Sequence, residues 1–164
     1  MNHRKLTSQQ LKDLLSYNQK TGEFVWLVGR LRGKVAGKTN NNGYRHIRIQ
    51  GVDFQAHRLA WLYVHGEWPE GWLDHKDRTR ANNAIANLRP ATPSQNNANS
   101  KVSVLNTSGF KGVSWNKPRE LWIAWIRSEG MNRYLGGYPT KEEAAAAYQA
   151  ASRLIFGEFR PSKA

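Results

Sequence analysis

The 164-residue chain contains no cysteine. That absence excludes a disulfide framework, a cysteine nucleophile and any zinc site built on thiolates, so no structural zinc is expected. No run reaches the roughly 18 consecutive apolar residues that a membrane-spanning helix needs, and no membrane partner is expected. Met1-Asn2-His3-Arg4-Lys5-Leu6 leads into no apolar stretch, so no secretory signal is read. Acidic side chains are scarce, with 12 Asp+Glu against 25 Lys+Arg and a formal charge of +13. Such an excess draws a protein to polyanions through counterion release. What is plentiful is aromatic: seven Trp, six Tyr and five Phe are too many large apolar groups for a disordered chain.

The basic excess is uneven. Residues 1–50 carry ten Lys/Arg and two acids, residues 51–100 carry five of each, and residues 101–164 carry ten and five. Two basic flanks enclose a neutral middle, and nucleic acid is the expected partner. The basic residues are not gathered on one amphipathic helix, which disfavours an anionic membrane surface.

Local patterns divide the chain. Thr7 and Gln10 have capping-box spacing, and Leu6, Leu11, Leu14 and Leu15 continue as a helix over about 8–16. Residues 23–28 read as a strand and residues 29–43 as a basic loop rich in Gly and Asn. Tyr44 to Ile49 alternates apolar and basic, as a half-exposed strand does, with Tyr44, His46 and Arg48 facing outward. Arg45 and Arg48 are candidate DNA contacts on this strand, and His46 is expected to touch DNA. Val52 to Gln55 returns as a hairpin, and a helix follows over about 57–65, stopped by Gly66. Residues 101–109 lack periodicity and read as a linker. Three strand-like runs (110–115, 121–127 and 133–138) precede a helix opened by Thr140 and Glu143. Six alanines between 144 and 151 favour that helix, whose sheet-facing side is expected to be Ala144, Ala145, Tyr148, Ser152 and Ile155, with Gly157 as its stop.

The middle carries the chemistry. Asp74-His75 ends a strand-like run, Asn87 stands twelve residues later, and Thr92-Pro93-Ser94-Gln95 opens a helix on which Asn96 lies in the first turns. Strand, loop, strand and helix can bring Asp74, His75, Asn87 and Asn96 together. Phosphodiester cleavage needs such a set: a base for the water proton, a role suited to His, and a divalent cation against the phosphate charge. One carboxylate (Asp74) and one amide oxygen (Asn96) suit a loosely held hard cation such as Mg²⁺, with Mn²⁺ as the alternative. Adjacent strand residues face opposite sides, so this scheme requires a bend at Asp74-His75. Asn82, Asn83 and Asn97 are read as turn residues that satisfy loop backbone. His57 and His65 are assigned to packing or phosphate contact, and His3 to solvent.

The run Leu73-Asp74-His75-Lys76-Asp77-Arg78-Thr79-Arg80-Ala81-Asn82-Asn83-Ala84-Ile85-Ala86-Asn87-Leu88-Arg89 resembles the core of the HNH endonucleases, especially the phage-borne homing type. Ala56-His57-Arg58-Leu59-Ala60-Trp61 and Gly66-Glu67-Trp68-Pro69 extend the resemblance. It implies a ββα-metal unit that hydrolyses duplex DNA with one divalent ion. It implies His75 as general base, Asp74 as a metal ligand and Asn87 as the residue orienting the histidine loop. Asn96 stands where the family name has a histidine and is the implied second ligand, with Asn97 and Asn99 as rivals.

A second resemblance begins at Ser108-Gly109-Phe110-Lys111-Gly112-Val113-Ser114-Trp115 and continues through Trp122-Ile123-Ala124-Trp125-Ile126-Arg127, Arg133-Tyr134-Leu135-Gly136-Gly137-Tyr138 and the alanine-rich helix. These runs resemble the ethylene-response-factor type of DNA-binding domain, covering about residues 107–161. The resemblance implies a three-stranded antiparallel sheet on one helix, with the sheet entering the major groove. Lys111, Trp115, Lys117, Arg119, Trp125, Arg127 and Arg133 are the candidate DNA contacts, and Trp122 is divided between core and surface.

The expected fold class is α+β: a helix and β-hairpin region, a ββα-metal HNH core, then a sheet packed on one helix. The expected divisions are 1–100 (core about 55–100), a linker at 101–108, and 109–164. The expected function is metal-dependent nicking of one strand of duplex DNA at a preferred sequence, by a monomer on DNA, in the cytoplasm (of a host cell if the chain is phage-encoded). The competing readings are a non-catalytic sequence-specific DNA-binding regulator and an RNA-directed nuclease or binder.

Overall fold

The structure is a computed structural model, and it describes residues 6–159. The reading of His3 and the last residues of the C-terminal resemblance lie outside the described residues. The protein is α+β, with four helices and ten strands among the described residues, and divides into two compact units, Met1–Ala91 and Thr92–Ala164.

The first unit opens with α1 (Ser8–Leu14), followed by β1 (Leu15–Tyr17) and β2 (Phe24–Trp26). The Thr7 hydroxyl accepts from the Gln10 amide, and the Gln10 side chain accepts in return from the Thr7 amide. The helix ends two residues before the expected limit because Leu15 turns to extended backbone and pairs with Trp26. Leu15 is then fully buried, and Tyr17, two residues on, stacks on Phe24 at 4.6 Å. The strand period thus serves these apolar residues better than a further helical turn would.

Next come β3 (Lys38–Thr39), β4 (Arg45–Ile49) and β5 (Val52–Gln55), which form an antiparallel sheet in chain order. The basic segment expected as loop therefore contributes a short strand. The Asn40 carboxamide accepts from the amides of Asn42 and Tyr44, closing a turn between β3 and β4. Gly37 lets β3 approach β4, since a Cβ there would stand 2.4 Å from the His46 carbonyl oxygen. Helix α2 (Ala56–His65) is closed by Gly66 in the left-handed conformation. Strands β6 (Trp72–His75) and β7 (Leu88–Ala91) then make an antiparallel ribbon. Leu11, Leu15, Phe24, Ile47, Leu59, Leu62 and Leu88 belong to one core.

The second unit comprises α3 (Pro93–Asn99), β8 (Val113–Asn116), β9 (Leu121–Ser128), β10 (Met131–Tyr138) and α4 (Lys141–Phe156). Its sheet has the order β10-β9-β8 and is wholly antiparallel. Helix α4 buries Ala144 and Ala145 against Val113 and Ala124, while Phe156 packs with Ile126 and with Ala98 of α3. Ile155, expected in this stripe, is 38% exposed, and Phe156 is the buried residue instead. Ser152 and Phe156 stand one helical step of four apart on the buried side, and Ile155 is rotated off it. Helix α3, grouped with the first 100 residues on sequence, has this packing within the second unit. Its last carbonyls are capped by the Lys111 ammonium, which donates to Asn97, Ala98 and Ser100.

Candidate functional site

Strand β6 carries Leu73, Asp74 and His75, all buried. Its register sets Asp74 opposite Arg89 and His75 opposite Leu88. Cross-strand partners share a face and neighbours alternate, so Asp74 and His75 project to opposite faces of the ribbon; the bend expected between them is not there, and the chain turns only after His75, where the Arg78 amide donates to the His75 carbonyl. On one face, Arg89 donates from Nε and Nη2 to the same Asp74 oxygen, Oδ2, at 2.9 and 2.8 Å. Both side chains are buried, and a buried charge of this kind needs its partner.

On the other face His75 enters a small polar cluster. Its Nε2 lies 3.2 Å from Oδ1 of Asn83. Its ring meets that of His57 edge-on at 5.1 Å, and the Tyr44 ring lies 6.1 Å from His75 and 5.6 Å from His57. The Arg80 guanidinium sits over Tyr44 at 5.0 Å and donates to the Asn42 carbonyl. Burial lowers the His75 pKa below the usual histidine value; Arg80 adds to this, while Asn83, Asp77 and Asp74 oppose it. His57 is pushed down to about 3, first by burial and then by His75, Arg58 and His46. Its Nδ1 is buried with no hydrogen-bond partner among the described residues. Both imidazoles are therefore neutral at neutral pH, the state in which a histidine has a lone pair to accept a proton.

The loop after His75 is tied to its far end by Asn87. The Asn87 side chain accepts from the Asp77 amide and donates to Asp77 Oδ1 and to the Asn82 carbonyl, at 2.8–3.0 Å. The Lys76 amide donates to the Asn87 carbonyl. The Asp77 carboxylate also accepts from the Thr79 amide and the Asn82 side chain. Burial is the largest single influence on Asp77 and would raise its pKa, but these hydrogen bonds together lower it.

Asn96 lies on α3 in the second unit and is half-buried; Asn97 is exposed and Asn99 buried. Among the described residues no group of three His, Cys, Asp or Glu side chains is disposed to hold a metal. The side-chain oxygens of Asp74 and of Asn96 are each of the kind that a hard cation accepts while it keeps most of its ligands as water or phosphate oxygen.

The remaining candidates are dispersed. Arg45 is half-buried and donates to the Ala36 carbonyl, whereas Arg48 is exposed opposite Asp53. His46 is half-buried with Nε2 3.2 Å from the Asn40 side chain. Lys111 caps α3. Lys117 and Arg119 are exposed in the turn between β8 and β9. Trp125 and Tyr134 are exposed neighbours with ring centroids 5.1 Å apart, and Arg127 is exposed on the same face. Trp115 is also exposed, but it pairs with half-buried Trp122 on the face that carries Val113. Arg133 pairs with Glu129 at 3.6 Å. Four residues of the His75 and Asp74 surroundings escaped the sequence reading: Asn83, assigned to a turn; His57, assigned to packing or phosphate contact; Tyr44, expected outward; and Arg89.

A family model described as HNH endonuclease matches residues 54–98, the stretch holding α2, the β6–β7 ribbon, the Asn87-tied loop and all but the last residue of α3. Protein 3.8 of Escherichia phage T7 is 36% identical over 104 residues, covering 63% of this chain and 85% of the phage protein. A protein of Acanthamoeba polyphaga mimivirus named as the uncharacterized HNH endonuclease L560 is 35% identical over 107 residues, covering 64% of this chain and 54% of its own length. No solved structure matches the chain. No helix among the described residues is long and apolar enough to cross a membrane.

Proposed function

Because the chain belongs to the HNH endonuclease family, we propose that it hydrolyses one phosphodiester bond of duplex DNA, nicking a single strand at a preferred sequence as a monomer of the homing type. The observation that carries this reading is the buried Asp74-His75 pair at the end of β6, inside the matched segment, with the imidazole held by Asn83. HNH nucleases generally depend on a divalent metal ion. Asp74 and Asn96 are the residues that would hold it, and Mg²⁺ is the proposed ion. When bound, the ion would offset charge on the phosphate and on the departing oxygen.

The protein's own groups do the rest. His75, neutral and walled from bulk water, takes a proton from a water molecule as its oxygen attacks phosphorus. The phosphorus–oxygen bond on the opposite side breaks, and the departing oxygen takes its proton from a second water molecule. Arg89 fixes the Asp74 carboxylate against rotation, and Asn87 holds the loop that follows the base. In the second unit, the sheet that resembles the ethylene-response-factor type is proposed to grip the duplex with Trp125, Tyr134 and Arg127, with Lys117 and Arg119 on its edge turn. The basic residues of β4 and of the preceding segment add phosphate contacts.

The test is relaxation of supercoiled plasmid with and without Mg²⁺, comparing wild type with His75→Ala. We expect metal-dependent nicking in the wild type and a loss of about 10²–10⁴-fold in the variant, with DNA binding retained. Equal binding and no nicking in either protein identifies a non-catalytic DNA-binding regulator. Faster cleavage of structured RNA than of duplex DNA overturns the substrate assignment.

A further inference from the structure

We propose that Asn83 is a positioning residue for His75: its side-chain carbonyl accepts the hydrogen bond of Nε2–H and so holds the imidazole in one orientation and one tautomer. The inference rests on the nuclease reading and adds to it a residue, a tautomer and the device that holds both.

The orientation of the amide follows from both its ends. Asn83 Nδ2 donates to the Ala81 carbonyl at 3.1 Å, so the other end, which faces His75 Nε2 at 3.2 Å, is the oxygen. A carboxamide oxygen only accepts, and a neutral imidazole carries one N–H. The Nε2–H tautomer satisfies this contact; the Nδ1–H tautomer would set two lone pairs against each other. Asn83 is 1% exposed, so water has no room to substitute for either partner.

Asn83 is itself seated by the N-terminal hairpin. The Tyr17 hydroxyl donates to the Asn83 backbone carbonyl at 2.6 Å. Tyr17 is stacked on Phe24 and lies 5.5 Å from the Tyr63 ring, which anchors that hydroxyl in the core. In the β1–β2 turn, Gly22 abuts the loop: a Cβ there would stand 2.3 Å from the Asn83 carbonyl carbon and from the Ala84 nitrogen. The Ile85 amide donates to the Gln19 carbonyl. Residues 17–22 thus brace the segment 83–85, and that segment braces the base. Histidine partners of this kind are worth about 10–100-fold in metal sites, where the same tautomer control operates.

The experiment reads the tautomer directly, by long-range ¹H–¹⁵N correlation on full-length protein with labelled histidine, at a pH where the rings are neutral. The His75 signals are assigned by their loss in His75→Gln. Wild type is expected to show His75 protonated on Nε2. Asn83→Ala is expected to lose that preference and to lower kcat for nicking about 10–100-fold with KM for DNA unchanged. Asn83→Asp, which keeps an acceptor oxygen, is expected to retain the Nε2–H form. If Asn83→Ala does not fold, Tyr17→Phe carries the test, with a several-fold fall in kcat at unchanged KM. A wild-type proton on Nδ1, or variants with wild-type tautomer and kcat, overturns the proposal. A wild type that does not nick defeats the nuclease reading alone, because the tautomer and its dependence on Asn83 are measured without turnover.

Discussion

The ribbon β6–β7 and the sheet β8–β10 are both antiparallel, and they distribute polarity in opposite ways. The ribbon buries Asp74, His75 and Arg89 alongside Leu73 and Leu88. The sheet buries Val113, Ile123, Ala124 and Ile126 and leaves Trp125 and Tyr134 in solvent. Burying charge costs free energy unless it is paired, and exposing large aromatic rings forgoes hydrophobic stabilisation. Each region therefore departs from the arrangement that stability alone favours, and in a different direction. Departures of this sort mark where a fold serves something besides stability. Chemistry on a phosphate calls for polar groups held rigidly away from bulk water, whereas recognition of a duplex calls for broad flat groups within its reach.

The largest effect should come from breaking the ribbon's ion pair. Arg89→Met leaves the Asp74 carboxylate buried without its guanidinium, a change that costs about 3–5 kcal/mol in comparable pairs. Denaturant unfolding followed by residue-resolved amide signals should show the first unit destabilised by that amount. Adding Asp74→Asn removes the stranded charge and should recover most of the stability. Nicking should not return, because the proposed cation would lose its carboxylate. Recovery of both together would mean that Asp74 is there for packing rather than chemistry.

The sheet should respond in the reverse sense. Trp125 is 44% exposed, so Trp125→Ala removes little buried surface and should leave stability within a few tenths of a kcal/mol. If the face binds nucleic acid, the same change should weaken DNA binding by about 1–3 kcal/mol, the range found for a base stacked on an aromatic side chain. Tyr134→Ala should act similarly and less than additively, since the two rings touch. Anisotropy titrations on duplex DNA at fixed salt measure this. Unchanged affinity in the double variant would move the DNA-binding face elsewhere.

How much of this was legible beforehand depended on range. The capping boxes at Thr7, Thr92 and Thr140 could be read because each is complete within four residues, and all three are present. Asp74-His75 and Asn87 stood out by spacing. Their partners did not, because a partner's identity depends on register and tertiary approach. Arg89 meets Asp74 only because the intervening loop sets that pairing, and Asn83 meets His75 only once Tyr17, 66 positions earlier, seats its backbone. Strand alternation points Tyr44 outward, but α2 and β6 supply imidazoles that lie against its ring. The Ile155 error has another origin: an alanine-rich helix has so faint an apolar stripe that its phase is decided by the sheet it meets.

The smallest effect per unit of change, and the one that separates the two units most cleanly, is the response to mild acid. All five histidines lie in the first unit, and the second has none. His57 is held neutral in the folded state down to about pH 3, whereas an unfolded histidine takes up a proton near 6.5. The unfolded chain therefore binds more protons below about pH 6.5, and stability must fall as pH falls, by up to about 1.4 kcal/mol per pH unit for one such group. His75, also lowered by burial, adds in the same direction. Between about pH 6.5 and pH 5.5, above the range in which most carboxylates titrate, the loss should be confined to the first unit. Hydrogen exchange across this window should show faster opening for amides of α2 and β4 and constant protection for amides of β9 and α4. His57→Gln keeps a polar side chain but cannot titrate, so it should flatten the pH dependence even if it lowers stability at neutral pH. A slope unchanged by that substitution would mean that the imidazole beside His75 gains its proton without penalty, and the ribbon's polar face would then be far wetter than its burial implies.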